Sequence, residues 1–171
     1  AAVSATSALY VARVSPTGAI AWGQTWGGTS STEHLSGLTS TQDGRVFATS
    51  YFDGTLRLPA RDTNTTSAGT DWAVSSWNAT GWARWSRTGG GSNADFAWSV
   101  AIGPDDAVYV VGSFETSGVT PVGPITSEGA TNGWLVRLAD GAAGSDFAKR
   151  LGSTDQLTPR EVVVDAERLV V

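Results

Sequence analysis

The sequence predicts an all-β protein built from repeated four-stranded antiparallel sheets, and three observations predict it. The 171-residue chain repeats itself with a period of 62–63 residues: Gly18, Trp22, Thr25, Gly27 and Gly28 return as Gly81, Trp85, Thr88, Gly90 and Gly91, and a degraded third copy runs from Phe147 to Gly152. Each unit holds short apolar runs punctuated by Gly, Pro and Asp, the signature of strands joined by tight turns. No stretch shows the periodicity of a long helix. A repeat of this kind is one supersecondary module that buries its apolar faces only against its neighbours.

The elements follow in order. Tyr10, Ala12 and Val14 alternate with Val11 and Arg13, a period-two strand. The turn Ser15-Pro16-Thr17-Gly18 follows, proline presetting one torsion and glycine accepting a positive one. Ala19 to Trp26 then returns antiparallel. After Gly27-Gly28 and a polar loop, Leu35–Thr41 and Arg45–Phe52 pair across Gln42-Asp43-Gly44, a strong hairpin signal. Trp72–Trp77 and Gly133–Leu138 repeat the first strand; Asp105–Phe114 and Asp165–Val171 repeat the last hairpin. The units are drawn at 8–70, 71–132 and 133–171, the third truncated in its fourth strand, and residues 1–8 match the tail of the Asn64–Thr70 linker.

Four strands per unit form a meander whose apolar residues lie on both faces, as in a sheet sandwiched between two others. That is the geometry of a propeller blade. The expected fold is a β-propeller segment of four-stranded antiparallel blades, an incomplete ring that other blades or chains complete. The period exceeds the roughly 40–50 residues of common blade repeats. Its excess falls in Leu56–Thr70 and Ser117–Asn132, expected to be loops projecting from one rim.

Composition narrows the function classes. A net charge of -5 argues against a nucleic-acid partner, which needs a basic surface to neutralise phosphates. Lys149 is the only lysine, so a polybasic membrane patch is absent. Without cysteine there is no disulfide, thiolate nucleophile or cysteine-ligated metal. No run reaches the roughly 18 apolar residues a membrane span needs, so membrane insertion is not expected.

The motifs resemble a known family. Val111-Gly-Ser-Phe-Glu-Thr116, Gly123-Pro-Ile-Thr-Ser-Glu-Gly129, Gly133-Trp-Leu-Val-Arg-Leu138 and Phe147-Ala-Lys-Arg-Leu-Gly152 follow, in order, the pattern of the bacterial β-propeller repeats called SBBP repeats. Ser50-Tyr-Phe-Asp-Gly-Thr55, Thr66-Ser-Ala-Gly69 and Tyr10-Val-Ala-Arg-Val14 match again. The resemblance implies an extracellular, cell-surface or periplasmic bacterial scaffold that binds partners and carries no single enzymatic activity. The long linkers and the aromatic Ala79–Trp85 segment depart from that pattern. Thr17-Gly-Ala-Ile-Ala-Trp22 and Thr80-Gly-Trp-Ala-Arg-Trp85 also resemble the T-G-x-x-x-W pattern of quinoprotein propellers, where it locks adjacent blades and does not bind the quinone.

The eight tryptophans carry most of the remaining information. Trp22, Trp77, Trp85 and Trp134 align with apolar or aromatic residues in other copies and read as core. Trp26, Trp72, Trp82 and Trp98 align with Gly89, Leu9, Ala19 and Ser36 instead, so the blade does not demand a ring there. Such a tryptophan can stack on a sugar or anchor a protein partner. Trp82, beside the turn glycine Gly81, is the leading contact residue. The bland alternative is local gap filling or a solvent-facing hydrophobe.

No catalytic residues are assigned. His34 reads as a loop residue before the third strand, without a nucleophile elbow to accompany it. Asp53, Asp71, Asp95, Asp105, Asp106 and Asp165 raise a glycosidase, but Asp43, Asp105 and Asp165 recur at one hairpin, where aspartate favours turns. No cofactor is expected; calcium is a weaker reading, from the oxygen-rich loop Ser92-Asn93-Ala94-Asp95. The expected function is therefore a non-enzymatic scaffold for a protein or surface ligand, the alternative a lectin-like propeller, and a glycoside hydrolase or quinoprotein fragment comes third.

Overall fold

The computed structural model describes residues 8–28, 32–60, 64–140, 146–152, 154–165 and 168–171. The expected match of residues 1–8 to the Asn64–Thr70 segment lies, except for Ala8, outside these residues. The described residues form an all-β structure of twelve strands: β1 (Leu9–Val14), β2 (Ile20–Trp26), β3 (Glu33–Ser40), β4 (Val46–Arg57), β5 (Asn64–Trp77), β6 (Ala83–Gly89), β7 (Phe96–Ile102), β8 (Val108–Thr120), β9 (Gly123–Leu138), β10 (Phe147–Leu151), β11 (Val163–Val164) and β12 (Leu169–Val170). They make four antiparallel sheets, β1-β2, β3-β4-β5-β6, β7-β8-β9-β10 and β11-β12.

This phasing corrects one expectation. The four strands of the first repeat were expected to share a sheet, yet β2 and β3 belong to different sheets. Each complete sheet takes the second half of one repeat and the first half of the next. The reason is the β4-β5 connection. Leu56–Thr70 and Ser117–Asn132, expected as rim loops, are largely strand: Thr55 pairs with Thr66, Leu56 with Thr65 and Arg57 with Asn64. In the other sheet the ladder continues to Thr120 opposite Gly123. Thr-rich, β-branched segments suit a pleated surface, and two strands laddered over such a length cannot part into separate sheets.

The Thr-Ser-x-Gly motif is a bulge in that long hairpin. Pairing jumps from Asp53 opposite Thr70 to Thr55 opposite Thr66, and from Glu115 opposite Thr131 to Ser117 opposite Thr126. In the first copy the Gly54 N–H donates to Ser67 Oγ at 2.7 Å. In the second, Ser127 Oγ donates to the Gly129 carbonyl at 2.6 Å. The extra residues are thus satisfied locally, as a bulge requires.

Three cores separate the four sheets, and successive residues of a strand serve alternate cores. Phe47 and Trp72 pack with Val110, Trp134 and Val136 between the two large sheets. Their neighbours Ala48 and Ala73 join Leu9, Val11, Trp26 and Trp77 on the β1-β2 side. Val111 and Leu135 join Val162 on the β11-β12 side. Burial on both faces explains why the sequence shows apolar residues at both parities. The first strands of successive sheets meet: β7 packs against β3 and β4, and β11 against β7. Gly37 permits that approach, because a Cβ there would lie 3.2 Å from the Ser99 Cα.

A repeated tryptophan ties each of the outer strands β2 and β6 to the following sheet. Trp22 on β2 donates from Nε1 to the Ala79 carbonyl at 3.1 Å. Trp85 on β6 donates to Asp140 Oδ1 at 2.7 Å. The Trp22 ring lies against Gly81, where a Cβ would sit 2.8 Å from it.

Candidate functional site

The turns that join β1 to β2, β3 to β4, β5 to β6 and β7 to β8 lie at one end of the sheets: β4 starts where β5 finishes, Val46 opposite Trp77, and Arg13 and Trp22 both reach the Ala79 carbonyl. There the 41–45 and 103–106 turns and residues 164–165 surround an open cleft of about 680 Å³. A second cleft of about 400 Å³ separates the 41–46 turn from the end of β1. Strand ends on a rigid scaffold are where binding groups are best positioned.

The turns are built by their own side chains. Gly44 and Asp106 occupy equivalent positions with φ of 85° and 61°, each N–H donating back to the carbonyl three residues earlier. The Thr41 hydroxyl donates to Asp43, which also accepts from Arg45 at 2.9 Å. The Thr41 bond first, and then Arg45, hold the Asp43 carboxyl down at about 2. Asp105 is likewise lowered, chiefly by Arg137, whose Nη2 lies 2.6 Å away. These carboxylates are turn and ion-pair groups, as their recurrence at the hairpin suggested. Asp165 accepts from the Arg168 N–H in the corresponding turn at 2.7 Å.

Arg45 is the hub of the cleft. It pairs with Asp43 and with Asp106 at 2.9 Å, and with Asp140 of the following sheet. Burial works against its charge, yet hydrogen bonds to Asp43, Asp140 and Asp106 raise its pKa above the ordinary arginine value. Asp140, its side chain 0% exposed, also takes a hydrogen bond from Arg84. Sequence reasoning did not single out Asp140; the repeated Trp22 and Trp85, whose N–H groups need acceptors, were the only signal leading to it.

The four unrepeated tryptophans separate sharply. Trp82 is 76% exposed. The Asn78 side-chain oxygen accepts from the N–H of Thr80, the Thr80 hydroxyl and the N–H of Trp82, so the turn beneath the ring is tightly bonded. By contrast Trp72 is 1% exposed and stacks on Trp134 with ring centroids 4.6 Å apart. Trp26 is 3% exposed and packs on Trp77 at 5.0 Å. Both are corrections: these rings are unrepeated because each fills a space particular to one sheet pair, and neither is accessible to a partner. Trp98 is half-buried, stacked on Phe96 at 4.9 Å and covered by the Arg160 guanidinium at 4.5 Å. Its Nε1 donates to Ser113 Oγ at 3.0 Å, so its polar tip is engaged internally.

Of the rings read as core, Trp77 and Trp134 are fully buried, whereas Trp22 and Trp85 are partly exposed clasps between sheets. His34, expected in a loop, lies on β3 and stacks on Tyr51 at 4.9 Å, because that strand begins two residues earlier than the alternation indicated. Asp71 and Asp95 sit at the opposite end of the sheets from the hairpin cleft.

No protein-family model matches the chain, and no curated protein matches it either.

Proposed function

We propose that this chain is a β-propeller segment of the SBBP-repeat kind, serving an exported or cell-surface bacterial protein as a non-enzymatic scaffold that binds a protein or surface ligand through its hairpin end. The propeller reading is supported by sheets packed face to face with their first strands meeting. It is also supported by Tyr10, Val14 and Ile20, exposed on β1-β2 as a further sheet would cover them. Other blades or chains are the partners that reading requires.

The observation that carries the binding role is Trp82. A 76% exposed indole on a tightly bonded turn offers a large amphipathic contact at little entropic cost. The charged cleft at the same end of the sheets supplies fixed charges of both signs. Saturable binding of the labelled chain to intact bacterial cells and to extracted envelope proteins tests the reading: Trp82→Ala is expected to abolish it. Absence of saturable binding, or binding unchanged in the variant, would overturn it. The same exposed ring suits stacking on a sugar face, and a glycan array read with both proteins decides for the lectin alternative.

A further inference from the structure

At the end opposite the hairpin cleft, Asp71 on β5 and Asp95 just before β7 converge on the Gly90-Gly91 link between the two large sheets. Asp71 Oδ1 accepts the Gly91 N–H at 3.1 Å. Asp95 is 1% exposed, and neither of its carboxylate oxygens has a hydrogen-bond partner. Its own N–H is fixed to the Thr70 carbonyl at 2.7 Å, so the residue is held in place.

Glycines line the space these oxygens face. A Cβ on Gly91 would lie 3.2 Å from Asp95 Oδ2 and 2.7 Å from the Ser117 carbonyl oxygen; one on Gly118 would lie 3.1 Å from Asp95 Oδ1; one on Gly90 would collide with Asp71 Oδ1. Two carboxylates and a backbone carbonyl thus gather around glycines at which a side chain would crowd them. An ionised carboxylate buried without partners is very costly. Burial first, then the negative charges of Asp71 and Glu115, push the Asp95 carboxyl up to about 7.

The repeat supplies an internal control. Asp71 pairs opposite Phe52, and its counterpart opposite Phe114 is Asn132. Asp95 donates to Thr70, and its counterpart, donating to Thr131, is Leu157. At that second junction Asn132 and Leu157 stand where the first has its two acids, and Asn132 Oδ1 accepts the Glu128 N–H at 3.0 Å. The fold therefore does not require acids at these positions.

We propose that Asp71 and Asp95, with the Ser117 carbonyl, bind a calcium ion that bridges the two large sheets. Among the described residues no three acidic or imidazole side chains are placed to hold one ion, so the set is two carboxylates completed by backbone oxygen and water. Calcium, which takes six to eight hard oxygens in irregular geometry, suits that set better than magnesium, which demands an octahedron. Glu115 adds negative charge from β8.

The test uses the full chain at a pH of about 8, titrated with calcium chloride against a chelator-treated control. With about 10 mM calcium the thermal unfolding midpoint is expected to rise by about 5 °C or more, and bound terbium is expected to give tryptophan-sensitised emission. Asp95→Asn is expected to lose both responses while remaining at least as stable as the parent in chelator. If that variant fails to fold, Asp71→Asn carries the same expectation. No shift and no terbium emission in the parent, or both retained in a folded variant, overturns the site.

Discussion

Asp140 is the point at which a small change should loosen the contact between the two large sheets. Its fully buried carboxylate receives Trp85 Nε1 at 2.7 Å, together with Arg84 and Arg45, three donors from the preceding sheet. Hydrogen bonds to a charged group are worth about 1.5–3 kcal/mol each. Here two of them are discounted, because the side chains of Arg45 and Arg84 are 16% and 27% exposed and so are partly rehydrated when released. Arg45 also keeps Asp43 and Asp106, and Arg84 keeps Ser76 Oγ at 3.2 Å. About 1 kcal/mol for each arginine and about 1 for the stranded indole N–H gives about 3 kcal/mol for Asp140→Ala. Asp140→Asn, which keeps an acceptor for Trp85 but loses the charge, should cost about half as much. Urea unfolding at neutral pH measures both, with an unchanged m-value showing that only stability moved. A double-mutant cycle with Arg84→Met should return a coupling of about 1 kcal/mol. A loss below about 0.5 kcal/mol for the alanine variant, or equal losses for alanine and asparagine, would refute the clasp.

Four further outcomes follow from the same structure. Trp72→Ala, which removes one ring of the buried Trp72–Trp134 stack, should cost about 3–5 kcal/mol in denaturant unfolding. Trp82→Ala should change stability by less than about 0.5 kcal/mol and remove the most readily quenched component of tryptophan fluorescence in an acrylamide titration. Gly81→Ala places a side chain at a φ of 86° and a Cβ 2.8 Å from the Trp22 ring, so a loss of at least about 1–2 kcal/mol should appear as an earlier thermal midpoint. Asp43, Asp105 and Glu128 are all lowered in the folded chain, by Thr41 and Arg45, by Arg137 and by Arg150. Their contribution is present above the unfolded value of about 4 and is lost as pH falls through the folded values, so stability should decline between about pH 4 and pH 2. Asp43→Asn should flatten that decline in urea titrations across the range.

Some of the site was legible in the sequence. Asp43-Gly44 announced its hairpin, because a turn's chemistry lies within a few adjacent residues. The repeat marked Trp82 as a ring that the sheet does not need, and its 76% exposure agrees with that. The same logic misjudged Trp72 and Trp26. Comparing copies shows what every sheet requires, but not the shape of one particular gap between two of them. The Leu56–Thr70 segment was misread because Thr, Ser and Gly suit loops and polar strands alike, and only the facing strand distinguishes them.

The sequence by itself determines the all-β class, the antiparallel hairpins, the two-faced strands and the period, all of which arise from local alternation and turn residues. The tertiary structure alone decides where one sheet stops and the next begins, which tryptophans are buried, and which carboxylates find partners. Those properties depend on what lies across a junction tens of residues away. Asp140 meets three donors and Asp95 meets none, a difference made by the neighbouring sheet and invisible in the aspartates themselves.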